Sequence, residues 1–337
     1  MKYDISVKNV INEALKNEKD VFFRGLPDNI RKPFSDEVKT VVFMPGAFCC
    51  DEDCDFCDIK NSPRDFSELC RNTVFADIRF MGNEDFRAAL TEYGFSRIAV
   101  MFPECADYSE YGYRAAFSWI GEYRAERSDF VQLVGFVSPS YRSLSSLTEL
   151  VASENSVVLG FESEPCFCKF EAVSPLSKFY AAASYAEKYV GFRTAVFFNS
   201  REEAHQFTHF LDKRRTGCLY LDGAMTLSQM KKTLNDFRYG RADILVSTKA
   251  FIPSSFFYPA ERVIFCGVPF SVSHLHRCVL TAENKKAVVI YCNDDIVRNK
   301  KIILSFGDAL SDRNISEKRL KSLENTKNML FACNKGE

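Results

Sequence analysis

Short apolar runs alternate with amphipathic stretches along most of this chain of 337 residues. Near its start, residues 21–23 and 39–44 are largely apolar, and the second run ends at Pro45 and Gly46. Apolar runs bounded by Pro and Gly are typical of strands buried on both faces, as in a parallel sheet. Their alternation with helical stripes predicts an α/β fold with right-handed crossovers.

The same periodicity predicts the order of the elements. The predicted strands are residues 21–23, 39–44, 76–81, 97–102, 130–137, 157–161, 168–173, 194–198, 218–221, 243–247, 262–266 and 287–291. The predicted helices are residues 5–18, 84–93, 113–124, 179–189, 202–211, 227–238 and 316–328.

The alternation of strands and helices stops in a connector and then restarts, which predicts two α/β lobes. We expect the first lobe at residues 1–170, with a Cys-rich insertion at about 46–72, and the second at residues 171–310. A hinge is expected near residues 170–178, and residues 311–337 are expected to form a C-terminal helical tail.

Composition narrows the class of protein. The apolar fraction of 46% and the charged fraction of 26% are those of a soluble globular protein. The formal net charge is −1, so any nucleic-acid binding would need a local basic patch. We expect no membrane span, because no apolar run approaches the roughly 18 residues required. The N-terminal segment has no apolar core of a signal peptide, so the 13 Cys are expected to stay reduced in the cytoplasm.

Four segments of the second half follow one another at a characteristic spacing. They are TAVFFNSREEA at 194–204, YLDG at 220–223, FRYGRADILVSTKAF at 237–251 and RVIFCGVPFSVSHLH at 262–276. In this order they resemble motif IV and the following motifs of RecQ-type helicases of superfamily 2. In the first half, residues 40–45 resemble motif Ia, and residues 98–117 align without gaps on motif II and its surroundings. The resemblance covers roughly residues 5–310 and implies two tandem RecA-like lobes, each a mostly parallel sheet flanked by helices.

The family's ATPase residues are replaced in this chain. The phosphate loop corresponds to RGLPDNIRK at 24–32, in which one Gly remains and Arg31 stands near the family's Lys. Met101 and Phe102 occupy the positions of the acidic pair, and neither offers the oxygen ligands that Mg²⁺ needs. Leu280 and Glu283 replace the arginine fingers, whose loss alone costs on the order of 10³–10⁵ in rate. The resemblance therefore implies a module that does not hydrolyse ATP, and Mg-ATP is not expected as its cofactor.

Helicase lobes hold strand backbones with loop N–H groups and basic side chains. The resemblance assigns such contacts to Arg114, Ser138, Ser200, Arg201, Thr248 and Lys249.

The insertion carries a cluster of thiols. Cys54 and Cys57 form a C-x₂-C pair between Cys50 and Cys70, which is a candidate structural zinc site. These thiols could instead hold an iron–sulfur cluster. The simplest interpretation is that they are reduced thiols that bind no metal.

Three functions fit these residues. The first is a catalytically inactive RecQ-like module that binds DNA or RNA. The second, which the near-neutral charge favours, is a protein-interaction scaffold that docks on an active partner. The third is a divergent but active ATP-dependent DNA helicase. Likeness of fold alone does not choose among them.

Overall fold

The computed structural model describes residues 3–25, 32–34, 37–44, 56–57, 71–101, 113–137, 144–160, 167–188, 191–248, 260–279, 282, 286–307 and 313–333. The chain divides into two compact units, one formed by the described residues up to Gly160 and the other by those from Phe167 onward. Each unit is built on one parallel sheet, as the α/β pattern predicts.

The first unit contains seven strands and four α-helices among its described residues. The strands are β1 (Asp20–Arg24), β2 (Thr40–Met44), β3 (Phe56–Cys57), β4 (Thr73–Asp77), β5 (Arg97–Met101), β6 (Gln132–Val137) and β7 (Ser156–Gly160). The helices are α1 (Tyr3–Lys16), α2 (Glu84–Glu92), α3 (Tyr113–Glu126) and α4 (Leu144–Leu150). The strand order is β3-β4-β2-β5-β6-β1-β7, and every pairing is parallel.

The strand predicted at residues 76–81 is wrong in its bounds. The pairing of β4 with β2 begins earlier, at Thr73 opposite Thr40. The strand ends at Asp77, whose carboxylate accepts the backbone N–H of Arg79 at 2.9 Å and caps a 3₁₀ helix at Ile78–Gly82. The apolar residues Ile78, Phe80 and Met81 are therefore buried as part of this 3₁₀ helix and do not belong to a strand.

A buried polar network closes the amino edge of the first sheet. The Arg97 side chain is fully buried and donates to Gln132 Oε1 at 2.8 Å and to Asn12 Oδ1 at 2.9 Å. Gln132 in turn donates to the backbone carbonyl of Ile11 at 2.9 Å and to that of Lys19 at 3.1 Å. Because buried polar groups are costly when unpaired, these bonds fix α1 against the strand ends.

Asp20 makes a second link at this edge. Its carboxylate accepts two bonds from the Arg124 guanidinium, at 2.7 and 2.9 Å, and one from the backbone N–H of Leu133 at 2.7 Å. Ser153 Oγ donates to the same carboxylate at 2.5 Å. One buried acid therefore joins β1, β6, α3 and the turn that precedes β7.

The second unit contains six strands and six α-helices in its described part. The strands are β8 (Phe167–Ala172), β9 (Thr194–Phe198), β10 (Cys218–Leu221), β11 (Ile244–Thr248), β12 (Arg262–Cys266) and β13 (Lys286–Tyr291). The helices are α5 (Lys178–Glu187), α6 (Arg201–Lys213), α7 (Leu227–Arg238), α8 (Val272–Val279), α9 (Asn293–Gly307) and α10 (Arg313–Cys333). The predicted lobe boundary at residues 170 and 171 falls within β8, which pairs with β13 along its whole length.

The second sheet has the order β10-β11-β9-β12-β13-β8, again with parallel pairs throughout. After β9 the chain crosses to β10 at the edge of the sheet and then forms β11 between β10 and β9. It then returns to build β12 and β13 on the other side. The order therefore reverses between β9 and β12, and open α/β sheets bind ligands at the carboxyl ends of the strands beside such a reversal.

An aromatic cluster fills the space between the second sheet and two of its helices. Phe179 of α5 lies 5.4 Å from Phe207 of α6, measured between ring centroids. Phe207 also lies 5.2 Å from Phe198 of β9 and 6.3 Å from Phe210. The many Phe residues of the chain thus serve here as core.

No helix in the described ranges has both the length and the apolar character needed to cross a membrane.

The close packing between β1 and β6 gives a first prediction. A Cβ added to Gly135 would lie 2.5 Å from Cδ1 of Phe22, whose ring is fully buried. We expect Gly135→Ala to lower the free energy of unfolding by about 1–3 kcal/mol, the usual cost of overpacking. Urea unfolding followed by circular dichroism measures the effect.

The matched control is Gly160→Ala, which makes the same change in strand β7. A Cβ at Gly160 would meet no heavy atom within 4 Å, so its stability should stay within about 0.5 kcal/mol of the wild type. Equal stability of the two variants would contradict the packing described for Gly135.

Candidate functional site

The carboxyl ends of three strands meet in register at the reversal of the second sheet. Thr248 of β11 pairs with Phe198 of β9, and Phe198 pairs with Cys266 of β12. The described segments that follow Phe198 and Cys266 therefore leave the sheet side by side. Among them are Ser200 and Arg201, which come two and three residues after Phe198.

Ser200 and Arg201 form the start of α6. Ser200 is extended, with φ −119° and ψ 134°, and its side chain accepts the backbone N–H of Glu203 at 3.4 Å. This N-cap begins the helix at the sheet edge. The Arg201 side chain is exposed at the first helical position. An exposed guanidinium beside the positive end of a helix dipole is suited to an anion such as a phosphate.

Two aromatic residues lie near Arg201. The Tyr220 ring, at the end of β10, lies 4.2 Å from the His205 ring, between centroids. Burial and a 3.0 Å hydrogen bond to Asp222 raise the pKa of Tyr220, whereas the positive charge of Arg201 opposes that rise. Arg201 is therefore close enough to act electrostatically on Tyr220.

Sequence analysis missed His205 as a site residue. The available signal was its spacing, because residues four apart lie on the same face of a helix and His205 follows Arg201 by four.

The end of β11 is buried. Ser247 Oγ donates to the carbonyl of Leu221 at 3.1 Å and to that of Thr248 at 3.3 Å. The Thr248 side chain is only 3% exposed, so this predicted contact residue presents almost no surface. Lys249, the next predicted contact, lies outside the described residues.

A cluster of buried charged side chains joins the first turn of α6 to α5 and α9. Lys178 of α5 is 4% exposed, and its Nζ donates to Glu203 Oε1 at 2.6 Å and to Asp295 Oδ1 at 2.5 Å. Arg298 of α9 also pairs with Glu203. Burial alone would lower the pKa of Lys178, but the negative charges of Asp295 and Glu203 outweigh it and raise the pKa. The ammonium therefore stays charged and joins three helices.

Two Asn side chains fix the loop after β12. Asn199 and Asn299 each donate from Nδ2 to the carbonyl of Val268 at 2.6 Å, and Asn199 also donates to Asn299 at 3.1 Å. Gly267 has φ +134°, a conformation that favours Gly, and its N–H donates to Ile290 at 2.7 Å. Asn199 lies in the segment that resembles motif IV, and its hydrogen bonds join the end of β9 to the loop after β12.

Of the predicted ATPase positions, the structure describes Met101. It is the last residue of β5, pairs with Phe136 of β6 and is fully buried. Arg31, Phe102, Leu280 and Glu283 lie outside the described residues. The same holds for Ser138, and Arg114 is placed in α3 by its backbone alone.

The predicted metal site also lies mostly outside the described ranges. Cys57 belongs to β3, where its backbone pairs with Ala76, whereas Cys50, Cys54 and Cys70 are not described. Zinc or iron–sulfur binding at these thiols stays a prediction.

The stretch that builds this edge matches a known domain. Residues 177–280 match the helicase conserved C-terminal domain. The matched stretch contains Lys178 of the charge cluster together with Ser200, Arg201 and Thr248. The edge described above therefore lies within the stretch that is similar to this domain. Among curated proteins, a sequence search finds no significant match to the chain.

Solved structures of superfamily 2 helicases share the fold. The DEAD-box helicase Mss116 bound to ssRNA and UDP-BeF gives a TM-score of 0.65 at 14% identity, over 96% of this chain and 81% of Mss116. The DUF1998 helicase MrfA bound to DNA and AMPPNP gives 0.64 at 12%, over 90% of this chain. Dbp5 of S. cerevisiae bound to RNA and ADP BeF3 gives 0.60 at 10%, over 90% and 89% of the two chains. The chain spans half of the MrfA chain. The tandem RecA-like fold is thus confirmed.

The charge cluster gives a second prediction. We expect Lys178→Met to lower the free energy of unfolding of the second unit by about 3–5 kcal/mol, because it leaves the buried carboxylates of Glu203 and Asp295 without their shared cation. Guanidinium unfolding of the purified variants measures it.

Lys213→Met is the control, since it removes the same charge from an exposed position at the end of α6. It should change stability by less than about 0.5 kcal/mol. If the Lys178 variant were as stable as this control, the cluster would not hold the three helices together.

Proposed function

We propose that this chain is a catalytically inactive, RecQ-like helicase module that binds DNA or RNA through the carboxyl edge of its second sheet. The observation that supports the proposal is the register of β9 and β11, in which Phe198 pairs with Thr248. The exposed Arg201 follows Phe198 by three residues, and Lys249 follows Thr248 in the sequence.

The charge distribution at this edge supports the binding of phosphates. Glu203 and Asp295 would repel a nucleic-acid backbone if they were uncompensated, but Lys178 and Arg298 pair with them. Arg201 is then left as an exposed cation at a helix N-terminus, where phosphates bind readily. The formal net charge of −1 for the whole chain is thus compatible with a local anion site.

The rings near Arg201 support contact with a single strand. Protein sites for single-stranded nucleic acid combine a basic groove with aromatic side chains on which bases stack. His205 is exposed and Tyr220 is half-buried beside it. The solved structures of Mss116 and Dbp5 hold RNA and that of MrfA holds DNA, which makes either polymer a candidate for this chain.

The absence of ATP hydrolysis is proposed from Met101. The resemblance to motif II gives this position to a carboxylate that binds Mg²⁺, and here it is a buried thioether at the end of β5. Hard cations such as Mg²⁺ require oxygen ligands. The replaced residues at Arg31, Phe102, Leu280 and Glu283 in the sequence support the same conclusion.

Fluorescence anisotropy with labelled single-stranded DNA and RNA tests the binding site. A charge-assisted contact to a phosphate contributes about 1.5 kcal/mol, so Arg201→Ala should raise the dissociation constant roughly tenfold. It should also reduce the slope of log K against log salt by about 0.7–0.9, which corresponds to one lost contact.

Lys213→Ala is the control for that measurement, because it removes one positive charge from the opposite end of the same helix. Its affinity should stay near that of the wild type. Equal loss in the two variants would overturn the assignment of the site, and no binding of either polymer at low salt would overturn the proposed function.

Mg-ATP should leave the melting temperature unchanged. A nucleotide present at 100 times its dissociation constant would stabilise the folded chain by about 2.7 kcal/mol, which differential scanning fluorimetry detects as a shift. MgCl₂ at the same ionic strength is the reference. A clear rise in melting temperature with ATP turnover would instead establish a divergent, active helicase.

A further inference from the structure

The exposed imidazole of His205 on α6 lies against the ring of Tyr220 on β10. The two ring centroids are 4.2 Å apart, and the ring planes are inclined by 31°. His205 is exposed, whereas Tyr220 is half-buried. Because Tyr220 covers one face of the imidazole and the residue is still exposed, the opposite face is the one left for a ligand.

Tyr220 is held in place by a buried carboxylate. Its OH donates to Asp222 Oδ2 at 3.0 Å, and Asp222 Oδ1 accepts the backbone N–H of Ala224 at 2.9 Å. Asp222 is only 6% exposed. The Tyr220 ring cannot leave His205 without breaking this hydrogen bond, so the two rings form a surface that is ordered before any ligand arrives.

Arg201 lies on the same face of α6 as His205. Residues four apart on a helix have their Cβ atoms about 5–6 Å apart, so the guanidinium and the imidazole are neighbours. Both side chains are exposed. A cation and a flat ring at this separation fit the phosphate and the base of one nucleotide.

The acid beside His205 favours a base there over a second phosphate. Glu202 precedes His205 by three residues and therefore lies next to it on the helix surface. Its Oε1 accepts from Gln206 Nε2 at 3.2 Å. A carboxylate in this position repels a phosphate but does not repel an uncharged base.

We propose that the exposed face of His205, supported by Tyr220, stacks on an unpaired nucleobase of the strand whose phosphate binds to Arg201. This stacking rests on the proposed function, because it requires a strand at Arg201, and it narrows the ligand to a strand with a base outside a duplex. Every base has a π-face, so DNA and RNA both meet this requirement.

A base inside a duplex does not fit this site. Both of its faces are covered by neighbouring bases, and uncovering one of them costs unstacking and unpairing energy. A contact of Arg201 with phosphate alone would carry no such restriction. His205 therefore makes the site selective for single strands.

Anisotropy with labelled single strands of DNA and RNA, each compared with a strand of equal length that has abasic sites throughout, tests the stacking. The abasic strand keeps every phosphate and lacks every base. We expect His205→Ala to weaken binding of the ordinary strand roughly tenfold and to leave binding of the abasic strand nearly unchanged. The loss of the ring and the loss of the bases are then not additive.

His209→Ala is the matched control. His209 is also exposed and lies one turn further along α6, and no ring of a described residue packs on it. Its affinity for the ordinary strand should equal that of the wild type.

Two further measurements separate stacking from charge. His205→Phe keeps a ring without the imidazole nitrogens, so it should restore most of the binding that His205→Ala loses. His205→Ala should also leave the slope of log K against log salt unchanged, because no phosphate contact is lost, whereas Arg201→Ala should reduce it.

The possible failures are distinguishable. If neither the DNA nor the RNA strand binds at low salt, the proposed function is wrong and the stacking with it. Equal binding of the ordinary and abasic strands, equal affinity of the His205→Ala and His209→Ala variants, or a loss in His205→Phe as large as in His205→Ala would overturn the stacking alone. The phosphate contact of Arg201 would then still stand.

Discussion

The buried ammonium of Lys178 is the interaction on which the second unit depends. It lies between the carboxylates of Glu203 and Asp295, at 2.6 and 2.5 Å, and so joins α5, α6 and α9 at one point. Charges withdrawn from water are tolerated only when all of them are paired. Movement of any one of these helices would break at least one of these buried ion pairs, so the cluster holds the start of α6 at the sheet edge.

That constraint explains how a near-neutral chain can present a local site for anions. The buried acids Glu203 and Asp295 are neutralised by Lys178, and the exposed Arg201 lies at the start of a helix whose cap is fixed by Ser200. In the first unit, Met101 is buried at the position that the resemblance gives to a metal ligand, so our proposal includes nucleic-acid binding without ATP hydrolysis.

The amino edges of the two sheets differ in the side chains that cover them. In the first unit, Arg97 and Gln132 satisfy one another and the carbonyls of α1, which leaves a closed polar edge. In the second unit, the corresponding edge has a cavity with an aliphatic floor and three cations.

The sequence by itself determined the fold class and most of the elements. The bounds of β9, β10, β12 and α7 follow directly from local runs of apolar residues, because strand and helix periodicity is a property of neighbouring positions. Tertiary structure decided the rest. Asp77 ends β4 through a cap that apolar patterning does not reveal. The helices α4, α8 and α9 are not among the predicted ones. Lys178 meets partners 25 and 117 residues away, and only folding can bring them together, since such charges gain from one another only after water has been excluded.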